Sequence, residues 1–189
     1  MANFLEATKI TGQNEGGYAN DVHDKGGLTY AGIASNYWPN WKGWSYVHEA
    51  MLKYNNGKTP FDVRNINSAL KANPIVNQLV SGFYMANFWN VNQLSSINDS
   101  RVADNLYDCA VNQGTGRAAH ILQDSINAIK GAGTVVSDGG VGPKTLTAAN
   151  SIDPKILYDK INELRLESYK KNSDWNIYGK TWSARLVNY

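Results

Sequence analysis

Along most of the chain, apolar side chains recur at steps of three and four, the period that lays one face of an α-helix against a core. Phe4, Leu5, Thr8 and Ile10 follow it, as do Val47, Ala50, Met51 and Tyr54 within the stretch Ser45 to Tyr54. Asp62 is placed to cap a short helix toward Leu70. Pro74, after Asn73, suits the first turn of a helix carrying Ile75, Leu79, Phe83 and Tyr84 toward Phe88-Trp89. Ser100 is placed to cap a helix that turns Val102, Leu106 and Cys109 inward and stops at Gly114. Ala119, Leu122, Ile126 and Ile129 mark the next, ending near Gly131; Pro143 opens a short helix, and Asp153-Pro154 a longer one with Leu157, Ile161 and Leu164 on one face. The pattern predicts a mainly α protein.

Two glycine-rich stretches interrupt it. Gly16-Gly17, Gly26-Gly27 and Gly32 are interleaved with Tyr18, Asp21, Asp24 and Tyr30, which predicts a tight loop or small β-hairpin after the first helix, where backbone can approach a ligand closely. The second, Asp138-Gly139-Gly140-Val141-Gly142-Pro143-Lys144-Thr145, punctuates the C-terminal half. Polar residues crowd between Leu94 and Asp99, so a boundary is expected there, dividing 1–96 from 97–189, with the two segments packed as one globular unit.

Composition narrows the function classes. Of the 189 residues, 42% are hydrophobic and 11% aromatic, enough for a sizeable core, which excludes a disordered chain. Eighteen basic against 16 acidic side chains leave a net charge of +2, too weak a field to point to nucleic acid. The single cysteine, Cys109, allows no internal disulfide and lies among apolar residues as a core position would. His23, His48 and His120 lack metal-ligand spacing, so no metal or cofactor is expected. No stretch has transmembrane length, and Met1 to Ile10 lacks the basic start and unbroken apolar run of a conventional signal peptide, so no stable membrane insertion is expected.

The chain has five glutamates. Glu6 and Glu49 lie in amphipathic helices, and Glu163 and Glu167 sit beside Arg165, Lys170 and Lys171 on what reads as a solvated face. Glu15 stands where the first helix gives way to Gly-Gly, a place from which a carboxyl group can project into a cleft. Glycoside cleavage needs a carboxylic acid still protonated near neutral pH, usually with a second carboxylate nearby. Tyr18 and Tyr30 are near enough in sequence to shield Glu15, Asp21 and Asp24 offer the second carboxylate, and Thr29 is placed to orient a water. By spacing alone, the same residues read first as a turn with solvated charges. Of the six tryptophans, Trp38, Trp41 and Trp44, close to Pro39 and Gly43, are the candidates for a substrate rim, although tryptophan serves more often as core.

The span Asn14-Glu15-Gly16-Gly17-Tyr18-Ala19-Asn20-Asp21-Val22-His23-Asp24-Lys25-Gly26-Gly27-Leu28-Thr29-Tyr30-Ala31-Gly32-Ile33 resembles the signature of glycoside hydrolase family 108, an N-acetylmuramidase family of the lysozyme superfamily. The resemblance implies a lysozyme-like fold and makes Glu15 the catalytic residue. A common variant of the signature has proline where this chain has Val22. A wider similarity to phage lysozymes implies Asp24 and Thr29 as catalytic partners and a structural, substrate-side role for Asp21; the reverse assignment of the two aspartates stays open. Ala103 to Gly114, then Ala118-Ala119-His120-Ile121-Leu122-Gln123, then Asp138 to Thr145 is similar to the predicted peptidoglycan-binding region that follows the catalytic segment in this family. There Asn112 and Gln113, at a helix end, are the residues whose amides suit a sugar's acetamido and hydroxyl groups.

The expectation is therefore a peptidoglycan hydrolase that cuts between N-acetylmuramic acid and N-acetylglucosamine with inversion. Glu15 acts as general acid, and Tyr18, Asp21, Tyr30, Asn112 and Gln113 contact substrate. A lytic transglycosylase and a non-catalytic wall-binding or secretion-assisting module are the alternatives, homologues in this family having been labelled secretion activators. A monomer made in the cytoplasm is expected, reaching the wall through a holin or an export system.

Overall fold

In the computed structural model of the chain, residues 2–11, 16–20, 26–55 and 62–186 are described, the side chains of 10, 11 and 55 excepted. The elements run α1 (Phe4–Thr11), β1 (Thr29–Tyr30), β2 (Ile33–Ala34), α2 (Trp44–Asn55), α3 (Val63–Ala72), α4 (Pro74–Tyr84), a π-helical turn (Met85–Trp89), a 3-10 turn (Leu94–Ser96), α5 (Ser100–Gln113), α6 (Thr115–Lys130), α7 (Pro143–Asn150), α8 (Pro154–Lys170) and α9 (Trp175–Arg185). The fold is mainly α with one small hairpin after the first helix, as the apolar spacing and the glycines predict. Asp62 caps α3 by accepting from the Asn65 N–H at 3.0 Å. At α5 the cap is Asp99, one residue before the expected Ser100: its carboxylate accepts from the Val102 N–H at 3.1 Å and binds Arg101 besides. Helix α9 has no counterpart in the apolar pattern, because Ile177 and Tyr178 are exposed while Trp175 and Trp182 pack.

The chain forms two compact units, Asn14–Met85 and a second made of Met1–Gln13 with Ala86–Tyr189. These divisions do not fall at 96/97. The polar stretch there hides two apolar anchors, Leu94 and Ile97, both buried; Ile97 also accepts a bond from the Ala2 N–H, and the Asn98 N–H donates to Asn150. Helix α1 belongs with the C-terminal helices because Phe4 forms an edge-to-face triangle with Trp89 and Tyr107, ring centroids 5.6–5.7 Å apart. Each such pair adds about 0.5–1.5 kcal/mol beyond the area it buries.

At the centre of that second unit lies α5, buried on all sides from Val102 to Ala110 and packed against α1, α6 and α8. A helix so enclosed should be apolar all round; this one carries Asp104, Asn105 and Asp108. Arg165 of α8, fully buried, answers two of them: it pairs with the Asp108 carboxylate, donates to the carbonyl and side-chain oxygens of Asn105, and donates to the Tyr169 hydroxyl at 3.1 Å. Asn105 in turn donates to Asn162 at 2.7 Å. Burying two charges costs several kcal/mol each, which this net offsets for most of their atoms; Asp108 Oδ1 and Arg165 Nε have no hydrogen bond, and Arg185 lies 3.8 Å from the former.

The second glycine cluster is a clasp. Gln123 donates to Asp138 and to the Gly140 carbonyl at 2.8 and 2.9 Å and accepts from the Gly139 N–H at 3.0 Å. Gly139 has φ 78°, and a Cβ there would lie 2.9 Å from His120, so both conformation and space require glycine.

Candidate functional site

Glu15, Asp21 and Asp24 lie outside the described residues, as does Val22. The segments that flank them are described, and they account for most of the motif. Gly17 runs so close to α3 that a Cβ on it would sit 2.3 Å from the Asn67 Oδ1 atom, which accepts the Tyr18 N–H at 2.7 Å. The glycine before Tyr18 is thus a demand of close approach. Beyond it, Ala19 and Thr29 exchange two backbone bonds of 2.9 and 2.8 Å, and Thr29 pairs on its other side with Ala34. Thr29 therefore sits in the middle strand of a three-segment ladder.

The hairpin closes through Ala31 and Gly32, with φ 47° and 75°. Both values are positive, as a two-residue turn that matches strand twist requires. Alanine pays for this conformation, and the Tyr84 hydroxyl, donating to the Ala31 carbonyl at 2.7 Å, helps to hold it there.

Thr29 is half-buried, its hydroxyl donating to the Gly27 carbonyl at 3.3 Å. Tyr18 and Tyr30, expected to meet substrate, are 5% and 3% exposed: their rings belong to the core beneath the ladder. Burial raises both phenols above their ordinary pKa, with Asn20 partly offsetting the shift at Tyr18. Tyr30 lies nearly parallel to Trp41 with centroids 6.5 Å apart, and Trp41 and Trp44 meet edge to face at 5.2 Å. Trp44 is buried and donates to the Trp38 carbonyl at 2.8 Å. Of the three tryptophans proposed as a rim, Trp38, at 38% exposed and beside the open ring of Tyr37, is the one with a substantial face to solvent.

Asn112 and Gln113 belong to the other unit. They end α5 and line a polar cavity of about 410 Å³ with Arg117 of α6, Tyr169 of α8, Lys171 and Trp182. Sequence reasoning marked the two amides and missed the rest, because their companions come from three other places along the chain. Asp104 is a further buried acid that the pattern did not single out. Desolvation, then the neighbouring charges of Asp99 and Glu6, push its carboxyl up to about 6. Burial likewise raises the Cys109 thiol to about 11, so it is no nucleophile at neutral pH. Among the described residues, no three His, Cys, Asp or Glu side chains gather as a metal site, and no helix is long and apolar enough to cross a membrane.

Comparison with known proteins adds three findings. The family model described as Glycosyl hydrolase 108 matches residues 8–114, more than half of the chain. No curated protein matches it. Among solved structures, SagA of Brucella abortus is similar over 97% of this chain and 88% of its own, with a TM-score of 0.64 at 23% identity, a likeness of fold.

Proposed function

The chain belongs to glycosyl hydrolase family 108 and is a glycoside hydrolase; from this we propose that it is an N-acetylmuramidase that cuts the β-1,4 bond between N-acetylmuramic acid and N-acetylglucosamine in peptidoglycan. Glu15 gives its proton to the leaving oxygen. Asp24, with Thr29, holds a water on the opposite face of the sugar as positive charge develops on the ring, and Asp21 shapes the loop. The observation that supports this reading best is the pairing of Ala19 with Thr29. It ties the segment that follows Glu15 to the strand that carries the threonine, while Asn67 fixes the backbone at Tyr18. An acid and its water-orienting partner need such a shared rigid frame. In this reading residues 1–96 carry the chemistry, and 97–189 hold the wall.

Glu15→Gln keeps the shape of the side chain and removes the proton. Hydrolysis of purified peptidoglycan, followed by release of reducing ends, should fall about a hundredfold or more, with circular dichroism unchanged; near-wild-type turnover would sink the assignment. Inversion is expected, with carboxyl groups roughly 6.5 to 9.5 Å apart. NMR of the first-formed anomer decides it, and retained configuration refutes it. Products lacking one water, detected by mass spectrometry, would make the protein a lytic transglycosylase instead.

A further inference from the structure

The cavity at the end of α5 has a lining of one chemical kind. The Asn112 Oδ1 atom accepts from the Tyr169 hydroxyl at 3.2 Å, and that hydroxyl is itself held by Arg165, a pure donor, so the order of donors along the chain Arg165, Tyr169, Asn112 is fixed. The Gln113 Oε1 atom accepts from Ser168 at 2.8 Å, and the Asn172 Oδ1 atom from the Asp174 N–H at 2.9 Å. All three amide oxygens are therefore taken by the protein, leaving the NH2 groups over. That of Gln113 is buried without a partner.

Arg117 and Lys171 add two cations to the same cavity, and among the described residues neither makes an ion pair and no carboxylate lines the wall. Lys171, at the end of α8, has an ordinary reason to be there, since cations stabilise helix C-termini. Arg117 has none: it sits in the first turn of α6, where the helix dipole disfavours a positive charge and no acidic residue offsets it. Trp182, stacked on Tyr169 at 5.4 Å, supplies an apolar wall.

We propose that this cavity binds a carboxylate of the muramyl unit, with Arg117 and Lys171 as counter-charges and the amides of Asn112, Gln113 and Asn172 as donors to its acceptor oxygens. The proposal rests on the muramidase reading for the source of the carboxylate, which is the lactyl group where the sugar carries no peptide and a carboxylate of the stem where it does. Neutral regions of a glycan strand lack that charge, so the pocket selects the acidic residue of the repeat and sets the register of the strand on the protein.

The test uses the full chain and three probes: the disaccharide GlcNAc-MurNAc carrying its tetrapeptide, the same disaccharide without peptide, and chitobiose. None offers the bond that a muramidase cuts. Binding is followed by calorimetry and by the NMR shifts of the side-chain amides of Asn112 and Gln113. Because the tetrapeptide form holds its lactyl carboxyl as an amide, binding of the peptide-free disaccharide assigns the lactyl carboxylate and binding of the tetrapeptide form assigns a carboxylate of the stem. In either case the double variant Arg117→Ala, Lys171→Ala should weaken binding about tenfold at low salt without a change in melting temperature, and the wild-type affinity should fall as salt is raised.

Chitobiose binding as tightly as the acidic probes, no probe binding at all, or a double variant that binds like the wild type each overturns the proposal. These failures are separable from failure of the muramidase reading, which is decided by hydrolysis of intact wall with and without Glu15.

Discussion

Residues 14–85 keep their shape at the motif through main chain: Gly17 against Asn67, Ala19 against Thr29, Ala31 under Tyr84. The unit built from α1 and the C-terminal helices keeps its shape through side chains instead, with an aromatic triangle on one side of α5 and the Arg165 net on the other. Backbone approach demands particular residues at fixed neighbouring positions, so it leaves a motif that can be recognised in one stretch. A buried net demands only complementary groups, which the chain supplies from positions about 60 residues apart.

The sharpest way to break this contrast is Arg165→Ala. It leaves buried Asp108 with only the more distant Arg185, at 3.8 Å, as counter-charge and should cost about 3 kcal/mol, measured as a lowered urea midpoint; a loss under about 1 kcal/mol would mean that the net is incidental to α5. A smaller effect is expected at Gly17→Ala, whose Cβ displaces the Asn67 amide and its bond to Tyr18. About 1–2 kcal/mol should be lost, with a fall in wall hydrolysis. Adding Asn67→Ala should then cost less than it does alone, because the two changes remove one shared contact, and strict additivity would show that Gly17 matters for another reason.

The mildest effect is conditional on pH. Asp104 has a folded pKa near 6 against an unfolded value of 3.8, so the native state holds its proton more tightly. Stability is therefore highest below the unfolded value and declines as pH rises through the folded one. Asp104→Asn removes the decline. It should raise stability by about 1–2 kcal/mol at pH 7.5, allowing for the solvent that reaches part of the group, and by almost nothing below pH 4. Melting curves at both values check it, and an equal gain at both would point to packing instead of charge.

Most of the fold was legible. Apolar steps of three and four, together with the cap Asp62 and the opening Pro143, located α2 to α8, and the glycines at 26, 27 and 32 announced the hairpin. Helix α9 escaped because its aromatic residues meet one another while its aliphatic residue, Ile177, faces water. The capping shift from Ser100 to Asp99 is a one-residue choice between two good acceptors, settled by the carboxylate that also binds Arg101. Tyr18 and Tyr30 drew attention by lying next to Glu15 and the aspartates, but proximity in sequence says nothing of which way a ring turns in a ladder. Arg117 carried no pattern, and Lys171 read only as part of a solvated face; the meeting of α5, α6 and α8 makes them neighbours.

Because α1 packs against α5 while residues 14–85 form a unit of their own, a helix made before that unit is a partner of one made after it. Phe4 emerges long before Trp89 and Tyr107 exist to cover it. During synthesis the intervening unit, compact by itself, has the opportunity to fold first, and α1 must wait with an uncovered aromatic ring. A nascent chain stalled after residue 85 should accordingly protect the hairpin from proteolysis and leave α1 open to it.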